Sequence, residues 1–169
     1  GTIVKWNGSA WSPRSFGTTQ AFCGVWGSDA SNVWSVGWGG TILKWNGSAW
    51  TTQASGTTQF LHSVRGSDAS NVLATGDNGA ILKWNGSVWS SQSSGTTHSL
   101  WSVWGTDASN VWAVGDGATI LKWNGSAWSS EHIDTQPHRS VWGSDASNVW
   151  AVGDDGIVLK WNGSVWLSE

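Results

Sequence analysis

Apolar and small polar residues alternate along this chain in runs of four or five, and each run ends in turn-forming residues. One stretch shows the pattern in full. Leu100-Trp101-Ser102-Val103-Trp104 leads to the turn Thr106-Asp107-Ala108-Ser109-Asn110, and Val111-Trp112-Ala113-Val114 ends at Gly115. After Asp116-Gly117 comes Thr119-Ile120-Leu121-Lys122-Trp123, then Asn124-Gly125 and a last run from Ala127 to Ser129. Period-two runs bounded by Gly, Asn, Asp and Ser predict four short antiparallel strands in a meander. The 3.6-residue period of a helical repeat is missing.

The unit recurs. Lys-Trp-Asn-Gly-Ser begins at Lys5, Lys44, Lys83, Lys122 and Lys160, at steps of 39, 39, 39 and 38 residues. Four strands in about 40 residues is the size of one propeller blade. The predicted fold is therefore an all-β propeller of four complete repeats plus an N-terminal two-stranded half blade. We place the partial blade at 1–12 and the blades at 13–50, 51–89, 90–128 and 129–169. Four blades lie at the lower limit for a closed ring, and one outer hairpin, 1–12 or 156–169, is surplus. The expectation is that the chain is a piece of something longer, and that a second copy, as a homodimer, completes a larger ring.

The Asn-Gly pair predicts a type I′ hairpin, with Trp45 opposite Ser48 and Leu43 opposite Trp50. Both sides of that hairpin are apolar, so it has to be sandwiched between neighbours.

Composition adds that a large core is available. There are 18 Trp and 23 Gly against 11% charged residues, and each Trp can bury roughly 150–250 Å². A net charge of −3 without a Lys/Arg run argues against a nucleic-acid face. Cys23 is the only cysteine, which excludes an internal disulfide and a cysteine-based zinc site. No apolar run approaches the ~20 residues of a membrane span, and no signal peptide is read. The compartment stays open, with the outside of the cell or its surface favoured.

The four copies differ unevenly. The turn between the first two strands is Ser-Asp-Ala-Ser-Asn or Thr-Asp-Ala-Ser-Asn every time, and the third-to-fourth turn is Asn-Gly-Ser. Both lie on one end of the blade. Variation collects at the other end. The second-to-third turn reads Trp38-Gly39-Gly40, Asp77-Asn78-Gly79, Asp116-Gly117-Ala118 and Asp154-Asp155-Gly156. The blade-to-blade connection ends in Gln20, Gln59, His98 and Gln136, the last within an altered Ile133-Asp134-Thr135-Gln136. Early in the first strand, Cys23, His62, Trp101 and Arg139 are equivalent. The candidate ligand-binding residues on this variable face and channel mouth are Trp38, Gln59, His62, Asp77, Asn78, His98, Trp101, Asp116, His138, Arg139 and Asp154.

Several residues have a plain reading beside a chemical one. The Ser-Asp-Ala-Ser-Asn turns offer hard oxygens to calcium, against Asx turns that bond their own backbone. Asn-Gly-Ser is formally a glycosylation acceptor, and turn chemistry explains it fully. His62, His98, His132 and His138 lack metal spacing and any nucleophile motif, so the chain is read as a non-enzyme without cofactor or metal. Trp38 replaces an Asp in an exposed turn, where it either stacks on a sugar ring or folds over its own blade.

At Val33-Trp34-Ser35-Val36-Gly37, Gly40-Thr41-Ile42-Leu43-Lys44-Trp45-Asn46-Gly47 and Trp50 the chain resembles the tectonin repeat, with Leu73 and Thr75 departing in the second unit. That resemblance implies a propeller that recognises glycans through weak sites repeated around the ring. Two functions are expected: a non-enzymatic, lectin-like carbohydrate-binding propeller gaining avidity from repetition, or a protein-interaction or structural propeller of a larger repeat protein. The partners are accordingly glycans or another protein surface.

Overall fold

The computed structural model describes residues 1–131 and 134–169; His132 and Ile133, named above among the histidines and the altered connection, lie outside them. Five antiparallel sheets follow the chain in order. β1 (Ile3–Trp6) and β2 (Trp11–Arg14) form the half blade. Blade 1 is the meander β3 (Phe22–Asp29), β4 (Asn32–Gly37), β5 (Ile42–Trp45) and β6 (Trp50–Gln53). Blade 2 repeats it in β7 (Leu61–Asp68), β8 (Asn71–Gly76), β9 (Ile81–Trp84) and β10 (Trp89–Gln92). Blade 3 comprises β11 (Leu100–Gly105), β12 (Val111–Gly115), β13 (Thr119–Trp123) and β14 (Trp128–Ser130). Blade 4 comprises β15 (His138–Asp145), β16 (Asn148–Gly153), β17 (Val158–Trp161) and β18 (Trp166–Ser168). The fold is the expected propeller of four blades and a half. Each fourth strand runs two or three residues past its opening Trp.

First strands pack side by side, β3 on β7, β7 on β11 and β11 on β15, so they line the axis. The core lies between blades. Trp34, Val36 and Ile42 of blade 1 meet Val64, Val72, Ala74, Leu82, Trp84 and Trp89 of blade 2, and the pattern recurs between blades 3 and 4. Sandwiching on both sides explains why β12 is buried along its whole length.

Lysines interleave with this aromatic core. Lys44 Nζ lies 4.9 Å from the Trp34 ring and 5.2 Å from Trp84 of the next blade. Lys122 likewise sits 5.6 Å from Trp112 and 4.2 Å from Trp161. Each buries its stem and places its charge on two indole faces. The half blade stacks by the same rule, with Lys5 5.0 Å from the Trp45 ring.

The hairpin differs from expectation. Trp45 pairs with Trp50 and Leu43 with Thr52, because the connection is a four-residue loop and not a two-residue type I′ turn. Asn46 Oδ1 accepts from the backbone N–H groups of Ser48 and Ala49, leaving only Gly47 with a positive φ. The Asn side chain thus closes the loop itself. Trp45 and Trp50 still share one face, with ring centroids 5.7 Å apart.

The five-residue turns are Asx turns. Asp107 Oδ1 accepts from the backbone N–H groups of Ser109 and Asn110, and Oδ2 from Thr106 Oγ1. Trp123 of the hairpin donates from Nε1 to Ala108 O at 2.9 Å, locking the two constant turns together. The same indole bond recurs at Trp45, Trp84 and Trp161.

Adjacent blades pack through their first strands, but among the described residues no extended contact joins blade 4 to the half blade or to blade 1, so the blades form an arc. Apolar side chains stand exposed at both ends: Val25 beside the half blade, and Trp142, Val152 and Leu167 on the far side of blade 4.

Candidate functional site

Two local devices gather the variable positions. The ladder between first and second strands skips one residue, pairing Leu61 with Gly76 and then Ser63 with Thr75. His62 is the extra residue, as Cys23, Trp101 and Arg139 are in their blades. A bulge leaves its residue outside the pairing and re-aims its side chain. The second device is a close approach. The backbone N–H of Asp77 donates to Phe60 O at 2.9 Å, and a Cβ on Gly76 would meet that same oxygen at 2.0 Å. Only glycine admits the contact, which presses the blade-to-blade connection onto the second-to-third turn. The equivalent bond forms in every blade, at Trp38, Asp116 and Asp154.

The side chains so assembled make a continuous ladder across all four blades. Trp38 packs on Phe60 with centroids 5.2 Å apart, Phe60 on His62 at 4.4 Å, and His62 on Trp101 at 4.2 Å. The Arg139 guanidinium closes it, 5.4 Å from the Trp101 ring. In blades 2 to 4 the bulge residue reaches the Asp fifteen positions on. His62 Nε2 lies 2.7 Å from Asp77 Oδ1, which also accepts from Ser99 Oγ. Trp101 Nε1 donates to Asp116 Oδ1 at 2.8 Å. Arg139 grips Asp154 with Nε and Nη2 at 2.8 and 2.7 Å, while Nη1 donates to Asp116 at 3.0 Å. That bidentate pair raises the Arg139 pKa further and lowers the Asp154 carboxyl.

Ten of the eleven residues read from the sequence stand on this face. Asn78 donates to Gln59 Oε1 at the rim, and the exposed His98 ring lies over Gly117. His138 does not belong there. It opens β15 opposite Gly153, where Leu61 and Leu100 open their strands, and it is fully buried. The bulge comes one residue later, so His138 points into the core and Arg139 takes the face. Burial pushes its imidazole below the usual range, with Asp134 Oδ1 3.4 Å away acting weakly against that.

Phe60 and Ser99 were missed. Their column reads Ala21, Phe60, Ser99 and Pro137, and that variation was the available signal. Trp38, the exposed end of the ladder, keeps 57% of its surface in solvent.

No family model matches the chain, and no curated protein matches it. Among solved structures it is similar to YCF48 from Cyanidioschyzon merolae, at a TM-score of 0.70 and 19% identity over 88% of this chain and 52% of that one. It is also similar to YCF48 bound to D1 peptide, at a TM-score of 0.71 and 16% identity over 98% of this chain and 59% of that one. The chain thus spans between half and three fifths of these neighbours, and the likeness confirms the β-propeller fold.

Proposed function

We propose that this chain is a non-enzymatic section of a propeller whose variable face binds an extended peptide segment of a partner protein. The observation that carries the reading is the continuous ladder of tilted, mutually packed rings from Trp38 to Arg139, edged by Asp77, Asp116 and Asp154, whose side chains stay 37–42% exposed. Those carboxylates keep lone pairs for backbone or side-chain donors of a peptide. One similar propeller is described as bound to a D1 peptide, which supports this class of partner. The test is a peptide array probed with the purified chain, each hit then titrated by tryptophan fluorescence. Peptides should be retained, and Trp101→Ala and Arg139→Ala should each weaken them about tenfold or more with the fold intact.

Sugar recognition is the second reading. It rests on Trp38, exposed and stacked on Phe60 alone, and on the resemblance to tectonin repeats. A glycan array run beside the peptide array separates the two. Sugar hits lost in Trp38→Ala, with a blank peptide array, would replace the peptide reading.

The arc ends point to a second copy of this chain. Trp142 and Trp150 form a stacked pair like Trp26 with Trp34, which in blade 1 is covered by blade 2. Sedimentation should give more than one chain mass, and Trp142→Lys should return it to one. A single chain mass for the unaltered protein at high concentration would remove this part of the reading.

A further inference from the structure

The two ends of the arc complement each other, and the internal junctions show how. At junctions 1/2 and 3/4 the ring of Trp26 or Trp104 is pressed so close to the next blade that a Cβ on Gly66 or Gly143 would meet it at 2.6 Å. Trp142 is the same knob in blade 4, opposite Trp150 as the others are opposite Trp34 and Trp112, and 58% of its surface is in solvent. Gly27 is the same socket in blade 1, where a Cβ would meet only Asn32 and Val33 of its own blade. A serine and a valine follow the same rule. Ser63 Oγ accepts from the backbone N–H of Val103 in the next blade, and Ser102 Oγ from that of Val141. Both valines are buried under that contact, whereas Val25, their equivalent in blade 1, is 71% exposed. Ser140, the equivalent of Ser63 and Ser102, has no further blade to meet.

The outer part of the blade 1 face is already occupied. The half blade spells Ile3-Val4-Lys5-Trp6-Asn7-Gly8-Ser9-Ala10-Trp11, close to the Val158-Leu159-Lys160-Trp161-Asn162-Gly163-Ser164-Val165-Trp166 of β17–β18. The third-strand lysine of each blade lies on the hairpin indole of the next, Lys44 on Trp84, Lys83 on Trp123 and Lys122 on Trp161. By that rule Lys160 belongs on the Trp45 of a following copy, but Trp45 already carries Lys5 at 5.0 Å and Arg14 at 6.0 Å. Two hairpins therefore fit one seat. The half blade is the weaker occupant. β1 has no strand on its inner edge among the described residues, while β17 is paired on both sides. Trp6 and Trp11 are exposed, while Trp161 and Trp166 are buried. A lone two-stranded hairpin is only marginally stable.

We propose that blade 4 of one copy docks head-to-tail on blade 1 of another, with Trp142 on Gly27, Ser140 on the Val25 N–H and Lys160 on Trp45, and that the half blade is a built-in cap that must leave this seat first. The inference rests on the reading that the arc ends meet a second copy, and it adds a polarity and a brake to that contact. The contact is heterologous, so the two surfaces are different and can be spoiled one at a time.

Sedimentation of the whole chain and its variants tests this, with circular dichroism checking that each variant is folded. Lys5→Gln/Arg14→Gln loosens the cap and leaves both docking surfaces intact, so association should tighten about fivefold or more. Val25→Asp and Trp142→Asp each spoil one surface at an exposed position, and each alone should stay a single chain. Their equimolar mixture should recover a two-chain species, because one supplies an intact blade 4 and the other an intact blade 1. Unchanged or weaker association of Lys5→Gln/Arg14→Gln overturns the cap. A mixture that stays at one chain mass overturns the head-to-tail contact, and the second-copy reading then stands as long as the unaltered chain associates. A single chain mass for both the unaltered and the loosened chain overturns both.

Discussion

Blades 2, 3 and 4 pair an aspartate in the constant turn with one that opens the variable turn, and the two aspartates do different work. At the constant end Asp68 and Asp107 are taken up by their own turns: backbone N–H groups of Ser70 and Ser109 lead the interactions that hold these carboxyls below the usual range. At the variable end Asp77, Asp116 and Asp154 bond side chains that differ in every blade, histidine, indole and guanidinium. The same residue type at a fixed position is structural where its partner is backbone and adaptable where its partner is a side chain. A turn that closes on its own backbone tolerates any neighbour. A turn that needs a side-chain partner changes character when that partner changes, which lets one scaffold present a graded surface.

The largest expected effect falls on the constant end. Trp123 is buried, packs on Trp128 at 5.5 Å and ties two turns together through Ala108. Trp123→Ala should cost about 3–5 kcal/mol, the range for deleting a buried large aromatic. Trp101→Ala, at the other end, removes a half-buried ring and should cost less than half as much. Denaturant unfolding of the two variants checks this. Equal losses would mean that the variable face is part of the core and would break the contrast.

The repeat, the four strands and the constant turns were legible because each rests on local chemistry: alternation, Asx-forming residues, glycine. The hairpin register was not. Asn-Gly in sequence matches a type I′ turn equally well, and only the two hydrogen bonds that Asn46 Oδ1 accepts, from the backbone N–H groups of Ser48 and Ala49, decide for the longer loop. The candidate face was legible through its variation, yet His138 and Arg139 were both read onto it. A one-residue bulge decides which neighbour reaches the face, and nothing in the spelling of Pro137-His138-Arg139 marks it.

His138 gives the next effect in size, because it carries the polar alphabet of the variable end into the core. Its folded pKa lies below the ordinary 6.5 through burial. The unfolded chain then binds the extra proton first, so stability falls as pH drops below about 6.5. The constant-end aspartates, with lowered pKa values, keep their contribution until the pH falls below about 3.8. Thermal unfolding should therefore show a loss between pH 7.5 and 5.5 in the unaltered protein. His138→Leu, matching Leu61 and Leu100, should flatten that loss and raise the midpoint more at pH 5.5 than at 7.5. A pH slope that survives the substitution would assign it to another group.

The smallest effect sharpens the contrast most. Arg139 makes the only bidentate ion pair among the described residues, with Asp154, and a second contact to Asp116, so geometry alone would rank it high for stability. Its side chain is 45% exposed and its partners nearly as much, and exposed pairs are screened by water and salt. Arg139→Gln should leave the unfolding midpoint unmoved at both low and high salt while loosening the face. Trp101 would lose its cation and Asp154 its paired charge, so the Asp154 carboxyl should titrate higher by NMR. A midpoint that drops at low salt and recovers at high salt would instead make the face a structural charge network. The aspartates of both ends would then serve the same purpose through different partners.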